Sequence, residues 1–168
     1  MSTICNPNYF TSYQLSDGSL VNVHILDTAG QEKYKSLNEN YYKVADCCLL
    51  VYDVTNKRSF EEIQNYYSQC IKEKCKENIK VILLGNKSDL EKKRVILPEE
   101  GATLALKNNY LFMETSCLKN TFVADAFETL IEITNREQKN NLTINKTMKL
   151  KEKKHKKKNT CPCKSIFK

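Results

Sequence analysis

The chain has 168 residues, of which 40% are hydrophobic and 28% are charged. This composition suits one globular domain with an apolar core and excludes a wholly disordered protein. No run of about 18 apolar residues occurs, and the opening residues MSTICNPNYF lack the charged and apolar regions of a signal peptide, so we expect neither a transmembrane helix nor a signal peptide. The net charge of +7 is uneven: residues 146–168 carry ten lysines against Glu152 alone, a net +9, which leaves −2 for residues 1–145.

The first half of the chain predicts a hairpin followed by a buried strand. YFTSYQL and LVNVHIL alternate or nearly alternate apolar residues, and Ser16-Asp17-Gly18-Ser19 between them has turn chemistry at Asp-Gly. KSLNENYYKVAD then predicts a short helix. CCLLVYDV, at 47–54, is a continuous apolar run of the kind found in strands buried on both faces.

Helices and strands alternate from there to the end of the domain. SFEEIQNYYSQCIKEKCKE has helical periodicity, with Ser59 as the predicted N-cap and Glu62 completing a capping box. KVILLGNK and YLFMETS are predicted strands, and LPEEGATLALKNN and FVADAFETLIEITNREQ are predicted helices. This alternation predicts α/β architecture with a doubly wound, mostly parallel sheet. We place the globular domain at residues 1–140 and a disordered Lys-rich tail at 141–168.

The eight cysteines predict free thiols, with the C-terminal pair set apart. Cys47 and Cys48 lie in the apolar run, as small buried side chains do in proteins of a reducing cytosol. No Cys/His quartet has zinc-finger spacing, so we expect no structural zinc site and no disulfide framework.

Polar residues follow three predicted strands at the points where those strands end. Asp27 closes VNVHIL, Asn86-Lys87-Ser88-Asp89 closes KVILLG, and Thr115-Ser116 closes YLFME. Open parallel sheets bind ligands beyond the carboxyl ends of their strands. The sequence therefore predicts that these three strand ends converge on one site.

GNKSDL suits the recognition of guanine. The base presents an N1–H and an N2–H₂ side by side, so one carboxylate can accept from both, whereas adenine would leave that carboxylate unpaired. Asp89 fits this role, with Asn86 as an amide partner and the stem of Lys87 along the base. By itself the tetrapeptide is also compatible with an ordinary polar loop after a strand.

Taken in order and at their spacings, DTAGQE, YYKVAD, LLVYDVTNKRSFEEI, LLGNKSDL and FMETS resemble a small GTPase of the Ras superfamily. The resemblance covers roughly residues 10–135. YYKVAD, LLVYDVT and FMETS are most similar to the Rab branch, whereas Leu26 before the aspartate is more Ras-like. The fold implied is the small-GTPase fold.

The resemblance implies a role for each matching position. Asp27 would hold Mg²⁺ through water, and Thr3, in a Ser2-Thr3-Ile4 that is similar to the family's STIG, would be a further metal ligand. Gly30 would contact the γ-phosphate, and Gln31 would be the catalytic residue that orients the attacking water. The implied cofactors are GTP or GDP and Mg²⁺, and the implied nucleotide-binding residues are Asp27, Thr28, Ala29, Gly30, Gln31, Asn86, Lys87, Ser88, Asp89, Ser116 and Cys117. The family usually continues with Ala-Lys where this chain has Cys117-Leu118.

The phosphate-binding loop of that family has no counterpart in the sequence. A P-loop needs G-x-x-x-x-G-K-[ST], and the only glycines are Gly18, Gly30, Gly85 and Gly101, no two of which are five apart. Set against the family, the opening strand, P-loop and helix would lie upstream of Met1. We expect this loss to leave two strands without their shared neighbour and to weaken or abolish GTP binding.

The tail predicts attachment to a membrane. Its lysines would be attracted to an anionic membrane surface, and Cys161-Pro162-Cys163 resembles the Rab geranylgeranylation signal, which would add the second anchor. Residues 164–168 follow this pair, and no C-a-a-X box exists. The tail lacks interleaved aromatic residues, so nucleic-acid binding is the weaker interpretation.

Two functions remain open on the sequence. The first is a Rab-like GTPase, shortened at its N-terminus, that acts as a switch in vesicle-mediated membrane transport. It would be a monomer at the cytoplasmic face of a membrane or in the cytosol, with effector, exchange and activating proteins as partners. The second is a nucleotide-free pseudo-GTPase, tethered by its tail, that acts as an interaction protein.

Overall fold

The computed structural model describes residues 8–27 and 39–158, without the side chains of residues 39–41 and 142–158. Two compact units are present, Met1–Thr134 and Asn135–Lys168. The strands are β1 (Asn8–Gln14), β2 (Leu20–Leu26), β3 (Cys47–Asp53), β4 (Lys80–Asn86) and β5 (Leu111–Glu114). The helices are α1 (Glu39–Val44), α2 (Lys57–Glu62), α3 (Ser68–Lys74), α4 (Pro98–Asn108) and α5 (Val123–Lys158).

The predicted hairpin is confirmed. β1 and β2 pair antiparallel from Asn8 opposite Leu26 to Gln14 opposite Leu20. The turn between them places Gly18 at φ +81°, a conformation that favours glycine. Asp17 Oδ1 accepts hydrogen bonds from the Ser19 amide at 2.9 Å and the Ser19 hydroxyl at 2.5 Å, which closes the turn.

The second sheet is parallel, in the order β3-β4-β5. Side chains of β4 alternate between its two faces: Val81 and Leu83 lie in a cluster with residues of α2 and α4, whereas Ile82 and Leu84 lie in a cluster with Ala126 and Leu130 of α5. Helices therefore cover both faces, which confirms the α/β architecture expected of a small GTPase.

Burial differs between the two apolar strands. β4 is buried on both faces, with Ile82 and Leu83 completely inaccessible to solvent. The sequence predicts the same for β3, yet Val51 in that strand is 53% exposed. The reason is position in the sheet, since β3 has β4 on one side and no other strand paired with it in the part of the chain that the structure describes.

The helix after β3 begins earlier than its sequence predicts. Asn56, not Ser59, is the N-cap, and its side chain accepts a hydrogen bond from the Ser59 amide. The Ser59 hydroxyl instead donates to the Asn56 carbonyl at 2.8 Å. A π-helical segment (Ile63–Tyr67) joins α2 to α3 without a break, so the predicted single helix contains one wide turn.

The structure differs from the sequence prediction at the tail as well. Disorder is predicted from about Asn140, whereas α5 continues to Lys158. Lysine and glutamate are good helix formers, so a segment without an apolar face can still have helical backbone. None of the helices in the described part of the chain combines the length and apolar composition needed to cross a bilayer.

The five cysteines with described side chains are free thiols: Cys47, Cys48, Cys70, Cys75 and Cys117. Burial raises the pKa of the Cys48 thiol to about 12, with smaller contributions from the neighbouring thiols of Cys75 and Cys47. Cys117 differs from these core positions because it is exposed.

Candidate functional site

The parallel register brings the ends of three strands to one edge. Asp53 at the end of β3 lies opposite Asn86 at the end of β4, and Gly85 lies opposite Glu114 at the end of β5. The loops that begin there are Asn86–Asp89 after β4 and Thr115–Cys117 after β5. Two of the three strand ends that the sequence brings together therefore do meet.

No described contact joins Asp27 to this edge of the parallel sheet. It follows β2 in the separate hairpin sheet, and its side chain is exposed. Thr3, Thr28, Ala29, Gly30, Gln31, Cys161 and Cys163 lie outside the described residues. The hydrolysis, metal and lipidation roles of those positions remain predictions.

Backbone hydrogen bonds tie the two loops together. The Ser88 amide donates to the Thr115 carbonyl at 3.1 Å, and the Thr115 amide donates to the Gly85 carbonyl at 2.9 Å. Ser116 pairs in both directions with Thr121, at 3.1 and 2.9 Å. These bonds hold the second loop against the first.

Side-chain hydrogen bonds then fix the residues predicted to recognise the base. The Ser116 hydroxyl donates to Asp89 Oδ1 at 2.5 Å and accepts from the Lys119 amide at 3.1 Å. Asn86 Oδ1 accepts from the Lys87 amide at 2.8 Å and from the Cys117 amide at 3.2 Å. The Cys117 contribution runs through its backbone, so a cysteine at this position fulfils it as well as an alanine would.

The arrangement leaves Asp89 able to bind a further donor. Among the described hydrogen bonds, Ser116 occupies Oδ1 of Asp89 and no protein group occupies Oδ2. A carboxylate needs both oxygens to accept two parallel N–H donors, and Oδ1 has a second lone pair for this purpose. The geometry therefore fits the N1–H and N2–H₂ edge of guanine.

Lys87 occupies a backbone conformation that lysine seldom adopts, with φ +67°. Its ammonium Nζ lies 2.6 Å from Oδ2 of Asp53. Hydrogen bonding and charge from Asp53 raise the pKa of Lys87. Burial by itself raises the pKa of the Asp53 carboxyl, but hydrogen bonds from Lys87 and Thr55 outweigh burial and bring that pKa below its ordinary value.

A second ion pair lies behind the loops. Arg94 Nη1 and Nη2 donate to the two carboxylate oxygens of Glu114 at 2.7 and 2.9 Å, and Nη1 also donates to the Ile96 carbonyl at 3.1 Å. Only 7% of the Arg94 side chain is exposed. Hydrogen bonding to Glu114 raises the pKa of Arg94 further above its ordinary value, although burial opposes this. The pair ties the end of β5 to the segment that follows Asp89.

Sequence reasoning missed Asp53, Arg94 and Glu114. The available signal for Asp53 was its position, because it ends a strand adjacent to the one that Asn86 ends. Arg94 had no comparable signal, since a single arginine in a charged loop is common on protein surfaces.

Only part of the predicted Mg²⁺ site lies within the described residues. Asp27 is the one predicted ligand that lies within the described residues, and among those residues no group of three His, Cys, Asp or Glu side chains could hold a metal ion. Mg²⁺ is commonly bound by one or two carboxylates together with waters and substrate phosphates. The exposed carboxylate of Asp27 is suited to be one such carboxylate, and waters and phosphates would supply other ligands.

Most of the chain is similar in sequence to known proteins. Residues 1–136 match the profile of the Ras family. The chain is 38% identical to a Ras-like protein of Laccaria bicolor, over 73% of this chain and 59% of that protein. It is 38% identical to the Ras-related protein RabQ of Dictyostelium discoideum, over 76% of this chain and 62% of that protein. It is 40% identical to the Ras-related protein Rab-13 of Canis lupus familiaris, over 68% of this chain and 56% of that protein. The chain thus spans less than two thirds of each of these relatives.

Proposed function

The chain belongs to the Ras family of small GTPases and is similar to its Rab members, and from this premise we propose that it binds guanine nucleotide and acts as a GTP-hydrolysing switch. The observation that carries the proposal is the carboxylate of Asp89, fixed through Oδ1 by Ser116 where the ends of β4 and β5 meet. A carboxylate held in this way can accept from both N–H groups of guanine. Adenine offers no such pair, so the site selects against it.

Phosphate binding and hydrolysis are the second half of the proposal. In the nucleotide-bound form Gly30 would contact the γ-phosphate, Gln31 would orient the attacking water, and Asp27 would hold a water of the Mg²⁺ sphere. The 168 residues contain no P-loop motif. We therefore propose that tight binding requires a strand–P-loop–helix unit beside β3, whose Val51 is exposed, and that these residues alone bind the nucleotide weakly.

The substitution Asp89→Asn tests the base site. The amide loses one of the two acceptors for guanine, but its N–H₂ can donate to the 2-carbonyl of xanthine while its oxygen accepts from N1–H. We expect affinity for GDP to fall by about 100-fold or more and affinity for xanthosine diphosphate to rise. Chemical-shift titration of the 168-residue chain, repeated with a P-loop unit from a Rab relative fused before Met1, measures both.

Asp46→Asn is the matched control, because it makes the same change at an exposed carboxylate that pairs with Lys76. Its affinities should equal those of the unmodified chain. A folded protein that binds neither GDP nor GTP, even with the fused unit, would contradict the proposal. That result would instead favour the nucleotide-free interaction protein.

The tail is proposed to place this switch on a membrane. Lysines of residues 146–168 would contribute about 1 kcal/mol each near an anionic surface, and geranylgeranyl groups on Cys161 and Cys163 would supply the stable anchor. Effector, exchange and activating proteins for vesicle transport would then act on a lipid-anchored monomer. Mass spectrometry of the protein made in a eukaryotic host tests the lipid, and loss of vesicle co-sedimentation after replacing both cysteines by serine tests its role.

A further inference from the structure

We propose that Asp53 is a positioning residue of the base site, whose carboxylate holds the side chain of Lys87 in place before a nucleotide arrives. The inference rests on the proposed function for its consequence, because the stem of Lys87 is the part expected to lie along the base. The ordering of the Lys87 side chain by Asp53 does not depend on a ligand. Without Asp53, we expect the Lys87 side chain to become mobile.

The carboxylate of Asp53 is itself fixed. Oδ1 accepts hydrogen bonds from the Thr55 amide at 2.8 Å and the Thr55 hydroxyl at 2.7 Å. The Asp53 amide donates a hydrogen bond to Oγ of Ser59 at 3.0 Å, which fixes the backbone of Asp53. With Oδ1 held in this way, Oδ2 has a defined position, and it lies 2.6 Å from Nζ of Lys87.

Lys87 is anchored at its other end as well. Its amide donates to Asn86 Oδ1 at 2.8 Å, and its carbonyl accepts from the Leu90 amide at 2.9 Å. Register places the two residues on neighbouring strand ends, because Asp53 lies opposite Asn86 in the parallel ladder. The four methylenes of Lys87 therefore run between a fixed backbone and a fixed carboxylate.

This arrangement has a consequence for binding. A lysine that is free in solvent loses rotamer entropy when a ligand orders it, and that loss weakens affinity. Only 20% of the Asp53 side chain is exposed, against 51% of the Lys87 side chain, so the lysine is the more accessible partner of the pair. Asp53 orders that lysine in advance, and its loss should cost about three- to tenfold in affinity.

Asp53→Asn is the test, because the amide keeps an oxygen for Thr55 and removes the charge. In the 168-residue chain we expect GDP to bind about three- to tenfold more weakly, with the unfolding midpoint changed little. Lys87→Met keeps an apolar side chain but removes the ammonium group that Asp53 binds. In a protein that carries Lys87→Met, the further change Asp53→Asn should alter GDP affinity by less than about twofold. An equal loss in both backgrounds would overturn the proposal and assign Asp53 a purely structural role.

A second measurement needs no nucleotide. ¹³C relaxation of the ε-carbon of Lys87 in the free chain should show a more mobile side chain in Asp53→Asn than in the unmodified protein. Asp46→Asn, which breaks the exposed pair with Lys76, should leave Lys87 unchanged. Equal order of Lys87 in all three proteins would overturn the proposal. If the chain binds no GDP, the proposed function fails while the relaxation result still decides whether Asp53 positions Lys87.

Discussion

Arg94 links the segment that follows Asp89 to the end of β5 through its ion pair with Glu114. Arg94 is almost fully buried, and its guanidinium also bonds Glu91 through Nε at 3.0 Å and the Ile96 carbonyl at 3.1 Å. A buried guanidinium is stable only when its donors are satisfied, and here Glu114 takes two of them in a bidentate contact. The loops predicted to recognise the base are thus connected by a buried charge pair, whose residues differ from those predicted to touch the ligand.

Replacing Arg94 by alanine should destabilise the fold strongly. Removal of one partner leaves the Glu114 carboxylate without its bidentate donor, and we expect a loss of about 3 kcal/mol in the free energy of unfolding. This value is at the lower end for a broken buried pair because Glu114 remains 21% exposed. Urea denaturation followed by circular dichroism measures it. Arg58→Ala, which breaks an exposed pair with Glu62, should change stability by less than about 1 kcal/mol, and an equal effect of both substitutions would contradict the argument.

Among the elements, α4 shows why a glycine can be required inside a helix. Gly101 is buried in the first half of α4. A methyl group added there would lie 2.5 Å from Cε2 of Phe112 and 2.5 Å from Oη of Tyr52. Both neighbours are aromatic rings, one in β5 and one in β3, and because they pack in the core they cannot move aside without disturbing other side chains. The close approach of helix to sheet therefore depends on the missing side chain.

Gly101→Ala should accordingly destabilise the protein although alanine is the better helix former. Overpacking costs about 1–3 kcal/mol, and the gain of about 1 kcal/mol in helix propensity offsets only part of it. We expect a net loss of up to about 2 kcal/mol, measured by thermal or urea unfolding. Thr103→Ala on the exposed face of the same helix should be close to neutral. A more stable Gly101→Ala protein would show that α4 is not in tight contact with the sheet.

Sequence reasoning succeeded where the signal is periodic and failed where it depends on neighbours. The hairpin, β4, α4 and the convergence of Asn86–Asp89 with Ser116 follow from alternation, turn residues and strand ends. The exposure of Val51 could not be predicted, because an apolar run does not reveal whether its strand has one neighbour or two. Asn56 was missed as a cap because Ser59 and Glu62 offered a capping box that also fits the pattern. Asp53, Arg94 and Glu114 act through partners distant in sequence, which no local pattern encodes.

Across the whole molecule, the strands form two sheets that no described strand joins. β1 and β2 pair with each other, and β3, β4 and β5 form the other sheet. The hairpin is linked to α5 by the Ser16 amide, which donates to Glu132 Oε1 at 2.6 Å. Burial raises the pKa of the Tyr13 phenol, and the carboxylates of Glu128 and Glu132 on α5 raise it further. Leu15, which follows β1, is buried, with 4% of its surface exposed.

Hydrogen exchange should reveal this division. An isolated two-stranded hairpin is marginally stable in water, so residues 8–14 and 20–26 should open without unfolding the parallel sheet. Their amides should exchange about tenfold or more faster than those of 80–86, where β4 is central and buried.

Glu132→Ala removes the acceptor of the Ser16 amide and should speed exchange in the hairpin while leaving β4 unchanged. Asp125→Ala, which removes an exposed carboxylate of α5 that has no described contact with the hairpin, is the matched control. Equal exchange rates in the hairpin and in β4 would mean that the two sheets unfold as one cooperative unit, in which case the contacts with α5 are stronger than the single hydrogen bond from Ser16 indicates.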